Sequence, residues 1–327
     1  MESFFFNPAG DRNLGREGWR VTVTRGWSLY ASGEVNDKRG RIARVFLEAD
    51  LIFIERRRGR EMIFVAHGVV DAANESGYVA RYLPDRDQFR SFLQARAEPF
   101  VTLEAAALGY GDALTVDDAT VAAAHMAMSA RELGHAITLF VNPGQVDSGN
   151  TYWFHQLTLL VDGLGSRIAF DDEEFDCTRI AEKVRLRRAL KRHLLPIQGE
   201  SERLTALSGL SMTLQARPAK LPGHLRTLTV PELRALSSAG VRLANHGWQH
   251  PHYDHLSSEE RLAEIRKGRD WLDDFRPGSG QGVFACPFGD HVPDRELAEF
   301  AGLWLSADNR APPGFRDGTY NRQEIRI

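Results

Sequence analysis

Four of the eleven histidines of the chain lie within ten consecutive residues. They are His246, His250, His252 and His255. Neutral imidazole is the commonest protein ligand for zinc, and a tight turn over the three intervening residues could bring His246 and His250 to one ion. Two ligands do not make a catalytic centre, however. The pair alone is explained equally well by metal binding and by a role in capping a loop.

A pair of carboxylates can supply the missing ligand. Asp117 and Asp118 directly follow an apolar run, and adjacent carboxylates repel each other unless a cation or a proton lies between them. In an extended stretch their side chains point to opposite sides, so one can bind an ion while the other has a separate role. A helix cap would explain one aspartate but not both. We therefore predict a divalent ion held by Asp118, His246 and His250, with Asp117 as the catalytic base; three such ligands leave the open position of a catalytic zinc site.

The segments around both motifs alternate between apolar runs and helical patterns. Strands are predicted at 112–116, 136–141 and 241–244, and helices at 120–133 and 231–238. This order is βαβ-like and predicts an α/β fold. Both motifs then lie at the carboxyl ends of strands, where barrel enzymes place their catalytic groups.

Two regions depart from this alternation. Residues 1–60 are rich in strand and turn signals, and we predict an N-terminal β-rich extension in which the run 51–54 forms a hairpin with 62–65. Between about 145 and 228 the pattern changes, and we predict a helical insertion there.

Two features of the insertion have alternative interpretations. The acidic run Asp171–Glu174 precedes a basic helical stretch, and a favourable interaction with a helix N-terminus is a simpler explanation than a second metal site. Tyr152 and Trp153 could stack on a sugar ring, but burial is the commoner fate of such aromatic residues.

The composition excludes several classes of protein. The net charge of -3 offers no broad attraction for nucleic acid or for an anionic membrane, and neither partner is predicted. Two cysteines without a CxxC spacing indicate neither a disulfide framework nor a thiolate zinc site. The first residues have no basic n-region or long apolar run, so a cytoplasmic protein without a transmembrane segment is expected; a homo-oligomer is left open.

Five segments resemble the motifs of one known family. They are Thr115–Ala119, His246–Pro251 with Leu256–Ser257 following, Phe64–Val69, Phe284–Gly289 and Asn321–Ile325. Together they resemble the polysaccharide deacetylases, the NodB-homology enzymes of carbohydrate esterase family 4, and most closely the subgroup acting on envelope polysaccharides. The resemblance extends from about residue 63 to the end, with the insertion as an interruption.

The resemblance implies a fold and a reaction. The fold would be a distorted (β/α) barrel over residues 61–327. The reaction would be removal of an acetyl group from an N- or O-acetylated sugar, with zinc as the metal by ligand type and cobalt or nickel as alternatives. The backbone N–H of Phe288, after Pro287, would stabilise the oxyanion. Asn245 and Trp248 are predicted to bind the carbohydrate together with Pro287 and Phe288.

The chain also departs from the family pattern. Ala119 replaces the glycine of the first motif, and Ala285 stands where many members have an arginine that orients the base. Arg322, in the matching terminal element, is our candidate to replace that arginine.

No clear counterpart of the family's general acid is visible. His291 is therefore the first candidate, followed by His255 and His67. Two other functions remain as alternatives: a hydrolase of another C–N bond, such as a cyclic amide, and a carbohydrate-binding relative without catalysis.

Overall fold

The computed structural model describes most of the chain after residue 61. The described ranges are 62–71, 83–149, 151–197, 199–217, 220–280, 282–290, 302–307, 312–316 and 319–325, together with the backbone of strands at 35–36, 42–48 and 51–56. Residues 1–34 of the predicted N-terminal extension and His291 lie outside the described residues.

The N-terminal strands form a small antiparallel sheet. It contains β1 (Val35–Asn36), β2 (Ile42–Glu48) and β3 (Leu51–Arg56), in that order. The run at 51–54 pairs with β2, with Val45 opposite Ile54. The predicted hairpin between 51–54 and 62–65 is therefore wrong, because the second run joins a different sheet.

A central sheet of nine strands carries the rest of the fold. Its strands are β4 (Ile63–Ala66), β5 (Ala113–Val116), β6 (Thr138–Val141), β9 (Arg242–Asn245), β10 (Val283–Ala285), β11 (Leu303–Ser306), β12 (Gly314–Arg316), β13 (Thr319–Asn321) and β14 (Gln323–Glu324). Their spatial order is β12-β13-β11-β10-β9-β6-β5-β4-β14, and every neighbouring pair except β12 and β13 is parallel. All residues of β5 and β6 are buried, which explains why these strands are continuous apolar runs. The prediction of an α/β fold with a parallel sheet is confirmed.

Two consecutive short strands near the C-terminus pair with strands that lie far apart in this sheet. β13 pairs with β11, whereas β14 pairs with β4 at the far end of the strand order. The sheet itself is not closed, but only Arg322 separates these two strands. The strands therefore curve into the barrel-like arrangement that the resemblance implied.

Helices pack on the sheet and within the insertion, and capping residues mark the starts of several of them. The helices are α1 (Arg86–Gln94), α2 (Leu103–Ala107), α3 (Val121–Glu132), α4 (Trp153–Asp162), α5 (Ile180–Leu194), α6 (Glu200–Thr213), α7 (Val230–Ser238) and α8 (Ser258–Phe275). Thr229 with Glu232, and Ser257 with Glu260, form capping boxes at the starts of α7 and α8. None of the described helices has the length and the apolar composition needed to cross a membrane.

The insertion has a hydrophobic cluster of its own. α4, α5 and α6 surround buried side chains that include Trp153, Leu186 and Leu190. A hairpin of β7 (Arg167–Phe170) and β8 (Glu173–Asp176) joins α4 to α5. The insertion is therefore mixed α and β rather than wholly helical.

The acidic run Asp171–Glu174 begins in the turn of this hairpin, so our interpretation of it was wrong. Asp171 and Asp172 occupy it with positive φ angles of 53° and 59°, a conformation that two-residue hairpin turns require and that aspartate tolerates. The acidic run thus forms a turn and a strand and does not stand at a helix N-terminus. Tyr152 and Trp153 are each 1% exposed, so the burial expected for them is found.

Candidate metal centre

The three predicted metal ligands meet at the carboxyl edge of the central sheet. Asp118 follows β5, and His246 and His250 follow β9, the next strand but one. One potential ligand atom from each lies within 4.8 Å of the other two. Oδ1 of Asp118 is 3.6 Å from Nε2 of His246 and 3.2 Å from Nε2 of His250. Ligands bound tetrahedrally at zinc distances are about 3.4 Å apart, so this spacing fits one shared ion.

The hydrogen bonds of these side chains point to the same conclusion. Oδ1 of Asp118 is buried and has no hydrogen-bond partner among the described residues. Nδ1 of His246 lies 2.7 Å from the carbonyl oxygen of Ala285. If Nδ1 carries the proton and donates to that oxygen, the lone pair of Nε2 faces the other ligands, as in many zinc sites. A buried carboxylate oxygen without a partner and a correctly oriented imidazole fit a divalent cation.

The backbone around the ligands is held in an uncommon conformation. Asp118, Ala119, His250 and Phe288 all have positive φ angles, of 74°, 39°, 62° and 57°. Such angles cost free energy in residues with a side chain and persist only where neighbouring contacts fix them. The glycine of the family's first motif would adopt this conformation more easily than Ala119.

Tyr152 and Asn142 provide some of those contacts. The Tyr152 hydroxyl donates to the carbonyl oxygen of Asp118 at 2.6 Å and lies 3.0 Å from Oδ1 of Asn142. The Asn142 amide in turn donates to the carbonyl oxygen of His246. These two buried side chains therefore link the backbones that carry the aspartate and histidine ligands.

Asp117 lies beside the ligands and is held by Arg322. Nη1 and Nη2 of Arg322 donate to the two carboxylate oxygens of Asp117 at 2.8 and 2.7 Å. Arg322 is 2% exposed, and its Nη1 also donates to the Thr115 hydroxyl. Oδ2 of Asp117 is 3.9 Å from Nε2 of His246. Arg322 thus contacts the carboxylate that we predicted it to orient.

Both aspartates are buried yet favour the ionised state. Burial alone would raise the pKa of Asp117, but the charge and hydrogen bonds of Arg322 outweigh it and hold that pKa below its ordinary value. Burial would likewise raise the pKa of Asp118, and the neighbouring His250 and His246 hold it well below. Ionised carboxylates are what a metal ligand and a general base require.

A cleft of about 360 Å³ opens onto this centre. Part of its wall comes from the sheet, including His67 and Phe288, and part from the insertion. The insertion contributes Phe154, His155, Thr158, Arg187 and Lys191. Burial lowers the pKa of His155 to about 4, and its Nδ1 lies 2.9 Å from the Thr151 hydroxyl.

Several predicted residues do not line the cleft. Asn245 is 2% exposed, its amide nitrogen donates to the carbonyl oxygen of Ile265, and its amide oxygen accepts from the N–H of Gly247. This amide shapes the histidine loop and has no group directed at a ligand. Trp248 lies against Gly144 and under the ammonium of Lys267. Substrate binding by Asn245 and Trp248 is therefore not supported by their positions.

Four further candidates occupy different places. Pro287 is buried, whereas Phe288 lines the cleft. His67 lines the cleft, whereas His255 lies against His252 beside a separate pocket between the insertion and α8.

Sequence reasoning missed Asn142, His155, Arg187 and Lys191. Asn142 follows β6 directly, and its position at a strand end was a usable signal. The other three lie on insertion helices, and no motif marked them.

Two comparisons with known proteins gave matches. Residues 212–303 match the family model of the polysaccharide deacetylases. This segment contains the histidine pair and the Phe284–Gly289 element. Among solved structures, the chain is similar to Streptococcus pyogenes deacetylase PplD in complex with acetate, at 13% identity and a TM-score of 0.48 over 81% of this chain and 92% of that one. No curated protein matches this chain.

The family match confirms the resemblance predicted from the motifs. Residues 212–303 are similar to the polysaccharide deacetylases, a family whose name describes removal of acetyl groups from carbohydrate.

Proposed function

We propose that this protein is a metal-dependent deacetylase that removes an acetyl group from an acetylated sugar. Asp118, His246 and His250 would hold the divalent ion, and the zinc predicted from their chemistry remains our first choice. The observation that carries the proposal is the buried, unpartnered Oδ1 of Asp118 between two imidazoles, with an ionised carboxylate next to it.

The ion and the protein side chains would divide the reaction between them. A divalent ion in this position would polarise the acetyl carbonyl and lower the pKa of a water molecule. Asp117 accepts the proton of the attacking water, because its carboxylate is ionised and lies beside the ligands. Arg322 keeps that carboxylate in one orientation through its two parallel hydrogen bonds. The N–H of Phe288 donates to the oxyanion.

Departure of the amine or alcohol requires a proton. His291, our first candidate for the donor, lies outside the described residues. Besides His246 and His250, the described histidines that line the cleft are His67 and His155. His155 is neutral near pH 7 because burial lowers its pKa to about 4, so it must first receive a proton before it can donate one.

Metal analysis combined with acetate release tests the proposal. The purified protein should contain a nearly stoichiometric divalent metal and release acetate from at least one member of a panel of N- and O-acetylated sugars. Chelation should abolish this release, and zinc, cobalt or nickel should restore it. Release that persists after complete metal removal would contradict the proposed mechanism.

The same panel separates the alternatives. Opening of a cyclic amide without acetate release would assign the site to another C–N hydrolysis. Sugar binding by metal-loaded protein without turnover of any panel member would indicate a non-catalytic carbohydrate-binding protein.

A further inference from the structure

We propose that the cleft contains an anion-binding subsite formed by Arg187 and Lys191, and that the acetylated sugar carries a phosphate group that binds there. The assignment of the substrate rests on the deacetylase function proposed above. The subsite itself rests on the position and charge of two insertion residues.

Arg187 and Lys191 lie on one face of α5, four residues apart. Both line the cleft whose other residues include Asp118, His246 and His250. The metal centre and the two cationic side chains therefore face the same space, and a ligand of a few hundred cubic ångströms can contact all of them.

Lys191 lies close to the metal centre. Its Nζ is 4.8 Å from the ring centroid of Phe288, and that ring centroid is 4.5 Å from the centroid of His250. A single aromatic ring thus separates the ammonium group from a metal ligand. An acidic group attached to the sugar that presents its acetyl group to the metal could reach this ammonium.

Arg187 is anchored from within the insertion. Its Nε donates to the Thr158 hydroxyl at 2.7 Å, and that hydroxyl donates to the carbonyl oxygen of Phe154 one helical turn earlier. This bond holds the guanidinium at the cleft wall, and guanidinium groups bind oxyanions through several N–H donors. The guanidinium is thereby oriented before a ligand arrives, which reduces the entropic cost of binding.

The part of the cleft wall that α5 forms favours an anion over a neutral group. Burial and the positive charge of Arg187 both lower the pKa of Lys191, so the two like charges are held together against their repulsion. Asp290 partly offsets this effect, but its carboxylate also accepts from the N–H of Tyr253 and pairs with His252. Glu324 lines the cleft as well and is exposed. A bound anion would contact two cations of the cleft wall, and a divalent ion in the centre would add to the attraction.

Phosphate fits this pair of cations better than carboxylate does. A phosphate monoester carries nearly two negative charges near neutral pH and presents three acceptor oxygens, enough for both a guanidinium fork and an ammonium group. A carboxylate carries one charge and two oxygens. The substrate we infer is therefore an acetylated sugar phosphate, or a larger molecule that contains one.

The experiment compares matched substrates and matched variants of the full-length, metal-loaded protein. Acetate release is measured from the 1-phosphate and 6-phosphate of N-acetylglucosamine, from the neutral methyl glycoside and from N-acetylmuramic acid, which carries a carboxylate. We expect kcat/KM for one of the phosphates to exceed that for the methyl glycoside by about tenfold or more.

The variants are Lys191→Met and Arg187→Gln. Each should lower kcat/KM for the phosphorylated sugar by about tenfold, mainly through KM, while the value for the neutral glycoside changes by less than about threefold. Arg188→Gln and Arg192→Met remove exposed cations of the same helix that do not line the cleft, and should leave both values unchanged.

Three results would overturn the proposal: equal turnover of neutral and phosphorylated sugars, an equal loss on both in the two variants, or a preference for the carboxylated sugar over both phosphates. If no substrate releases acetate, the deacetylase function fails, and calorimetric binding of glucosamine 6-phosphate decides the subsite separately. Binding that weakens about tenfold in Lys191→Met supports it, and binding that is absent or unchanged overturns it.

Discussion

The carboxyl edge of the central sheet and the insertion contribute to the same cleft in different ways. At the sheet edge, positive φ angles set the backbone of Asp118 and His250, and buried hydrogen bonds hold the side chains of Asp117 and His246. The insertion packs around its own hydrophobic cluster and presents Arg187 and Lys191 to the cleft. Under the proposed function, the sheet would carry the chemistry and the insertion would carry the choice of substrate. Substitutions in the two regions should therefore change different measured quantities.

Loss of a metal ligand should have the largest effect. We expect Asp118→Ala, His246→Ala and His250→Ala each to lose the bound metal and to reduce acetate release by at least about a thousandfold, since the ion supplies the main electrostatic stabilisation of the transition state. Metal content by mass spectrometry and acetate release by enzymatic assay test this.

His255→Ala is the matched control for these variants. His255 belongs to the same cluster in the sequence but is exposed and does not line the cleft. It should retain both metal and activity. A stoichiometric metal in His250→Ala, or its loss in His255→Ala, would show that the ligands are assigned wrongly.

Asp117→Asn should separate catalysis from metal binding. The substitution preserves the shape of the side chain but removes the base, so metal content should stay near that of the wild type while kcat falls by about a hundredfold or more. Because the amide cannot satisfy both donors of Arg322, some loss of thermal stability should accompany it. Wild-type kcat in this variant would contradict the role of Asp117.

Arg322→Lys should have a smaller effect on the same step. Lysine keeps the positive charge but cannot donate two parallel hydrogen bonds to one carboxylate, so the base would be less well oriented. We expect kcat to fall by about tenfold to a hundredfold with KM and metal content little changed. A change in KM alone would mean that Arg322 contacts substrate and does not position Asp117.

The residues of the sheet edge were predictable, and those of the insertion were not. Asp118 and His246 directly follow apolar strands, and parallel strands bring their carboxyl ends to one edge, so local sequence determines the meeting point. Arg322 could be assigned because the terminal element resembles that of the family. Arg187 and Lys191, in contrast, belong to a basic helix with several cations, and only the packing of α5 on α4 and α6 decides which of them face the cleft.

The incorrect hairpin and the unsupported substrate contacts of Asn245 and Trp248 have the same origin. Asn245 and Trp248 are adjacent to the histidines in the sequence, but the amide of Asn245 is used by the loop itself. The run 51–54 has the composition of a strand, but this composition does not specify which strand it pairs with, and it pairs with β2.

The hydrophobic cluster of the insertion can be weakened without touching the metal ligands. Leu186→Ala removes a side chain of α5 that is fully buried in this cluster and should cost about 2 to 4 kcal/mol of unfolding free energy. Metal content should be retained under native conditions, while KM for the best substrate should rise because the wall carrying Arg187 and Lys191 is less well held.

Arg188→Ala, at an exposed position of the same helix, should change stability by less than about 0.5 kcal/mol. Loss of metal in Leu186→Ala would show that the two regions are not separate.

Glu200 allows a finer test, through pH, of how the insertion is stabilised. Burial raises the pKa of Glu200 from 4.5 to about 7, although Arg203 lies 3.3 Å from it, and burial also lowers the pKa of Arg203. A folded state that binds this proton more tightly than the unfolded state has its full stability below pH 4.5 and loses it as the pH rises through about 7. Between pH 5 and 8 the wild type should therefore lose about 1 to 3 kcal/mol more unfolding free energy than Glu200→Gln, measured by denaturant titration.

Glu202→Gln, at an exposed position of the same helix, should behave like the wild type. Parallel pH profiles for the wild type and Glu200→Gln would mean that the pair is ionised throughout this range and that the insertion is insensitive to pH at this position.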